Sequence, residues 1–488
     1  MPHTNSPSPA PVRSRAAVWI VTSVAALAGF LYGYDTGIIS GALLKITAEF
    51  EIDHRVQEMI TASILVGAVV GALLSGRVSE AIGRRKTIMI VSLIFLAGAL
   101  VSAISPTPET LMLSRVFLGL AVGGASQAAP VYIAEIAPAV SRGAMVATFN
   151  FATALGILAA NVVSFWLTAW SWQQMVAIAA IPAIVLFIAM FFMPESPRWL
   201  ASRGRRPQAR AVLSRLRRPA QVDPELADID RILEREKTEQ RGWRVLGAPW
   251  VRPAVIASLG FAAFTQLSGI EMMIYYTPTF MTTAGLSVDF ALLSSLLVAV
   301  MFATTNFIGR WLVDKVGRRG IVLLLVPGAA LSLFSLGTAF AVGSHNPVWI
   351  LLSLLGFIVF VGLSVQCCGW LLGSELYPLS ARGPGSSANA AVVWGANLLA
   401  TGTALTLVNL LGVGGAIIVY GVINVVGWVF VWKFVPETKG VSLEEVEQAL
   451  RAGEFTPRGM EARHQRELDG GTASATEFRD AEEPARRR

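Results

Sequence analysis

Only two cysteines occur in this sequence, Cys367 and Cys368, side by side in an apolar run. Adjacent thiols cannot build a disulfide framework, and the four histidines add no metal-ligand spacing. Charge is scarce too: Asp, Glu, Lys and Arg make up 15% of the chain, against about 25% in ordinary soluble domains. There is no Gly-rich phosphate loop with its Lys and no nucleophile constellation. These absences argue against a secreted disulfide scaffold, a metal domain, an enzyme and an ATP-driven pump. No cofactor and no metal are expected.

What is present is hydrocarbon. Of the 488 residues, 54% are hydrophobic, gathered in runs long enough to cross a bilayer, which takes about 20 residues each. They lie near 16–40, 58–78, 88–104, 111–133, 144–168 and 172–193, then near 254–282, 290–313, 321–341, 348–374, 386–410 and 415–434. This predicts an all-α membrane protein with twelve transmembrane helices in two groups of six. The first run is too long to be a cleaved signal peptide.

The net charge of +7 does not point to nucleic acid, because its distribution has another cause. Of 39 Lys and Arg, only Lys45 and Arg55 fall in odd-numbered loops, and Arg115 sits within a span. The rest occupy the even loops, the span ends that border them, and the tails. That asymmetry predicts that both termini and the central loop are cytoplasmic.

The expected organisation is a disordered N-terminus (1–15), a six-helix bundle (16–193), a helical linker (194–252), a second bundle (253–435) and a tail (436–488). The linker holds 14 Lys and Arg against 8 Asp and Glu, with helical stretches such as "PELADIDRILEREK". The tail opens with a short helix, "GVSLEEVEQALRAG".

The two bundles repeat each other. "GRVSEAIGRRK" (76–86) matches "GRWLVDKVGRRG" (309–320), "AEIAPAVSRG" (134–143) matches "SELYPLSARG" (374–383), and "PESPR" (194–198) matches "PETKG" (436–440). Three pairs in the same order indicate duplicated halves, the architecture with which many transporters build a midplane site. Acid and base recur at the same helix ends: Glu80 with Arg84 and Arg85, Glu135 with Arg142, Asp314 with Arg318 and Arg319, and Glu375 with Arg382. Cross-pairing between halves would form a cytoplasmic latch when the transporter faces outward; the alternative is that the bases only enforce topology.

Two acids stand inside spans. Asp35 is the single charge between Ala16 and Lys45, in "GFLYGYDTGIISGAL". Even the mildest scale charges roughly 2.5–3.5 kcal/mol for such a group at the membrane centre. Glu271 lies in "FTQLSGIEMMIYYTP" (264–278), and an acid at such a depth is a functional-site candidate by default.

"GYDTGIISGAL", the two "GRR" loops, "PESPRWL" and "PETKG" together resemble the sugar porter family of the major facilitator superfamily, over roughly residues 20 to 445. The resemblance implies alternating access and carriage of monosaccharides, polyols or related cyclic polyhydroxy compounds. It makes Arg115 the partner of Asp35 and Asp35 the mark of a proton-coupled member; the alternative is a permanent ion pair joining two helices. It implies substrate contacts at Asn150, Thr265, Gln266, Glu271, Gln366, Trp370, Trp394 and Asn397.

The chain departs from the family pattern at several points. Thr265 replaces a Gln, Glu271 an Asn and Phe302 an Asn, and Gln366 and Cys367 replace a Gly-Pro. Glu80 stands for the usual Asp, and Ala81 for an Arg. Glu271 is left open between ligand contact, proton transfer and a protonated acid that bonds as an amide would. The expected function is proton symport of a sugar or polyol at the plasma membrane by a monomer, with lipid, protons and the small molecule as partners and no nucleic acid. The alternatives are an uncoupled facilitator, or a carrier of a cyclic hydroxy acid or aromatic compound on the same fold.

Overall fold

The computed structural model describes residues 12–138, 141–238, 243–378, 381–441 and 443–463. Among them no strand occurs, and the regular structure is helical.

The first five spans are single helices, Val12–Phe50, His54–Ile82, Arg84–Ala103, Pro108–Ile136 and Arg142–Trp166. The sixth is made of Trp172–Ala177 and Ala180–Phe192. In the second half, the seventh comprises Arg252–Leu267 and Ile270–Thr283. The eighth and ninth are Val288–Val316 and Arg318–Ala341. The tenth runs through Pro347–Val361, a π-helical turn at Gly362–Gln366, and Cys367–Glu375. The last two are Arg382–Thr401 and Ala404–Phe434.

Among the described residues, eleven helical segments are long and apolar enough to cross a membrane. The remaining span, Arg382–Thr401, carries Ser386, Ser387, Asn389 and Asn397, which dilute its hydropathy. Its end differs from the expected 386–410. The apolar run hides a turn at Gly402 and Thr403, and Ala404 already opens the next helix. The first helix starts at Val12, inside the segment 1–15 expected to lack structure; residues 1–11 lie outside the described residues.

Glycine brings backbones together. A Cβ at Gly119 would overlap the Ile64 carbonyl oxygen, and one at Gly67 the Val116 carbonyl oxygen. The second and fourth spans therefore pack main chain to main chain, as small residues allow in lipid.

The linker forms Pro197–Ser202, Arg206–Leu216 and Pro219–Thr238, around a small core that includes Trp199, Leu200, Leu213 and Val222. Arg217 ties it to the first half by donating to the Ile136 carbonyl at 2.9 Å and, two-pronged, to Glu225. The tail helix is Leu443–Ala452, with the Arg451 guanidinium 4.3 Å from the ring centre of Trp250.

Candidate functional site

The seventh span breaks at Ser268 and Gly269, where Gly269 takes a left-handed φ of 98° against the Tyr420 ring. A broken helix in lipid must have its freed backbone groups satisfied. Asn424 does this, donating to the Ser268 carbonyl at 2.7 Å. The break begins a new helix whose second residue is Glu271.

Around it lies a cavity between the halves. Of the expected contacts, Asn150, Gln266, Glu271, Gln366, Trp394 and Asn397 line it. Gln366 reaches it at the close of the π-helical turn, where the wider winding redirects one side chain. Asn397, in the wall with Glu271, accepts from the Thr401 hydroxyl at 3.0 Å. Tyr32 meets Trp394 edge-on, with ring centres 5.6 Å apart.

Thr265 is not part of the wall. Its hydroxyl donates to the Ala262 carbonyl at 2.7 Å and accepts from the Gln266 amide nitrogen at 3.2 Å. It therefore fixes which way Gln266 points. The Gln266 Oε1 and the Trp394 Nε1 are buried with no protein partner. Such groups are costly unless something else bonds them, and both residues line the cavity.

The structure adds residues the sequence did not single out: Tyr32, Thr36, Ser126, Thr153 and Asn306 also line the cavity. Asn306 is informative. It lies one helical turn beyond Phe302, donating to the Phe302 carbonyl at 2.9 Å, so an amide returns to the same face on which Phe302 replaced one. The signal was the i, i+4 spacing in the eighth span.

Asp35 and Arg115 stand together at 3.4 Å, both nearly inaccessible. The guanidinium also donates through Nε to the Ile60 carbonyl at 2.9 Å. The chain neighbour of Asp35, Thr36, is in the cavity wall.

The repeated loop motifs assemble into matching corners. In the first half Arg84 forks onto Glu135 at 2.9 and 3.0 Å, and Glu195 accepts from the backbone N–H of Arg84 and Arg85. In the second, Arg318 forks onto Glu375 at 3.2 and 3.1 Å, and Glu437 accepts from the N–H groups of Arg318, Arg319 and Gly320. Gly83 and Gly317, at φ 100° and 98°, turn both corners.

In this state the pairing lies within each half, where the third motif of each repeat supplies the carboxylate that locks the first; the latch expected across the halves belongs to the opposite state. Arg85 donates to the Met190 and Phe191 carbonyls, and Arg319 to that of Trp432. The Glu80 side chain is exposed while its carbonyl serves Trp199 and Arg203, and Arg142 is exposed. The side chains of Asp314, Trp370 and Arg382 lie outside the described residues.

At the end of the bundle away from the termini, contacts cross between halves: His54 meets Asn409 at 2.7 Å, and Glu58 meets Thr406 at 2.6 Å. Near the other end Asn150, two turns into its helix, is exposed.

This geometry has counterparts. The chain is 38% identical to the galactose-proton symporter of Escherichia coli K12, over 90% of this chain and 96% of that one. It is 37% identical to the D-xylose transporter of Levilactobacillus brevis, over 88% and 94%. Among solved structures it matches the inward open conformation of the E. coli xylose transporter XylE, with a TM-score of 0.78 and 28% identity, covering 88% of this chain and 99% of that one. Twelve helices in two six-helix bundles, with paired loop motifs in each, are the major facilitator fold. The model of the Sugar (and other) transporter family matches residues 21–450, and the chain belongs to that family.

Proposed function

We propose that this chain imports a sugar, polyol or related cyclic polyhydroxy compound by proton symport across the plasma membrane, with both termini in the cytoplasm. The bundles at 16–193 and 253–435 rock about the cavity, the segment 194–252 links them, and 436–488 forms the tail.

The observation that carries this reading is the pairing of two features. One is a cavity between the halves lined by Trp394 and Gln266, whose indole N–H and amide oxygen are buried without a protein partner. A ligand hydroxyl donates and accepts at once, so it suits such a wall. The other is that the Asp35–Arg115 pair sits one residue behind that wall, at Thr36. The galactose and xylose carriers to which the chain is similar support the substrate class, and the symporter among them supports coupling. Glu271, Asn150, Gln366 and Asn397 are assigned to the ligand. Asp35 is assigned to the proton, with Arg115 as its counter-charge in the deprotonated form.

The energetics suffice. One proton moving down about 100 mV gains ~2.3 kcal/mol, and one pH unit adds ~1.4, enough for accumulation of several hundred-fold. The seal at the far end and the exposure of Asn150 support a state open toward the termini.

The test is uptake into proteoliposomes with an imposed pH gradient, over a panel of hexoses, pentoses and inositols. Accumulation of at least one neutral polyol should collapse with a protonophore. In Asp35→Asn, exchange should persist while accumulation is lost. Accumulation by that variant would leave an uncoupled or differently coupled carrier as the reading.

A further inference from the structure

The even-numbered spans begin at the end away from the termini, and each helix start leaves backbone N–H groups without an intrahelical acceptor. Asp53, Thr107, Ser171, Ser287 and Asn346 each cap the helix that follows with their own side chain. The twelfth span is different. Its N-cap, Thr403, makes no capping bond, and its hydroxyl turns back to the Leu399 carbonyl at 2.7 Å.

The missing acceptor comes from the other half. Glu58, in the second span, takes the Thr406 N–H on one carboxylate oxygen and the Thr406 hydroxyl on the other, both at 2.6 Å. Thr406 is the third residue of the twelfth helix, a position that an N-cap side chain ordinarily serves. A carboxylate there is also favoured by the helix dipole. Glu58 is only 4% exposed, so away from this helix start it would need water or another donor. Beside it, the place a Cβ would take on Gly402 lies 3.5 Å from the Ala62 side chain of the opposite half.

We propose that Glu58 is a positioning residue of the transport cycle: it caps the twelfth helix from the opposite bundle only while this end is closed, and so sets how often the end opens. Opening parts the second span from the twelfth and undoes the carboxylate and its two donors together. An interaction made in one state and absent from the other shifts the balance between them. The inference rests on the two-state part of the proposed function and on nothing about the cargo.

The experiment uses the purified full-length chain in detergent, with Cys367→Ser and Cys368→Ala removing native thiols and Ala62→Cys placing a probe in the closed seam. The readout is the rate of labelling by a hydrophilic maleimide, which needs neither substrate nor known orientation. Glu58→Ala and Thr406→Val should each raise that rate several-fold, and the two together should add little to either. Thr403→Asp, added to Glu58→Ala, gives the helix a cap of its own; it should restore thermal stability and leave labelling fast. Unchanged labelling in both single variants overturns the proposal. So does a return to slow labelling with Thr403→Asp, because the role would then be helix stability alone. A wrong substrate class would leave these rates untouched.

Discussion

Arg115 stands 3.4 Å from Asp35 and donates its Nε hydrogen to the Ile60 carbonyl. The guanidinium is thus anchored to the second span even when the carboxylate of the first is neutral. A proton on Asp35 releases one partner of Arg115 and keeps the other.

Truncating one member of this pair should harm the protein more than removing both charges. Arg115→Ala leaves a buried carboxylate alone, a change that typically costs 3–5 kcal/mol. Thermal unfolding in detergent should show a clear drop in Tm for Arg115→Ala and a smaller one for Asp35→Asn/Arg115→Ala. Equal drops would deny that the two groups interact.

Trp394→Phe keeps the ring face and deletes the free N–H. A neutral hydrogen bond contributes about 0.5–1.5 kcal/mol, so the Kd of the transported ligand should rise by roughly threefold to tenfold. Thr265→Val should act in the same direction through Gln266, because the amide loses the hydroxyl that orients it. Binding calorimetry on the purified protein reads both.

Glu271→Gln separates ligand binding from coupling. If the carboxylate accepts ligand hydroxyls, loss of a charge-assisted bond worth about 1.5–3 kcal/mol weakens affinity roughly tenfold to a hundredfold, while any uptake that remains is still concentrative. Unchanged affinity with lost accumulation would move Glu271 from the ligand to the proton path.

Gly83→Ala and Gly317→Ala should destabilise their halves alike. Each glycine holds a φ that side chains rarely adopt, and an added Cβ would meet Glu195 or Glu437. Such a site costs of order 1–3 kcal/mol. A strong effect in one half and none in the other would show that the two corners bear unequal loads.

Much of this was legible in the chain because membrane helices announce themselves and duplicated motifs cross-check each other. Gln266, Glu271 and Asn397 could be nominated because polar groups in apolar spans have few reasons to be there. What escaped depends on rotation and winding. Thr265 and Gln266 are adjacent, yet only the latter lines the cavity. Asn306 recovers by one turn what Phe302 gave up. The boundary at Gly402 was lost because no charge separates the eleventh span from the twelfth, so hydropathy saw one run. The pairing within each corner follows from where "PESPR" and "PETKG" dock, which no spacing in the sequence encodes.

The closed corners have a mechanical consequence. Arg84 with Glu135 and Glu195, and Arg318 with Glu375 and Glu437, stitch neighbouring spans into stiff plates, each stitch lying within one half. On the proposed cycle, bringing the plates together near the termini tears none of these stitches, and the bonds that must break lie at the opposite rim.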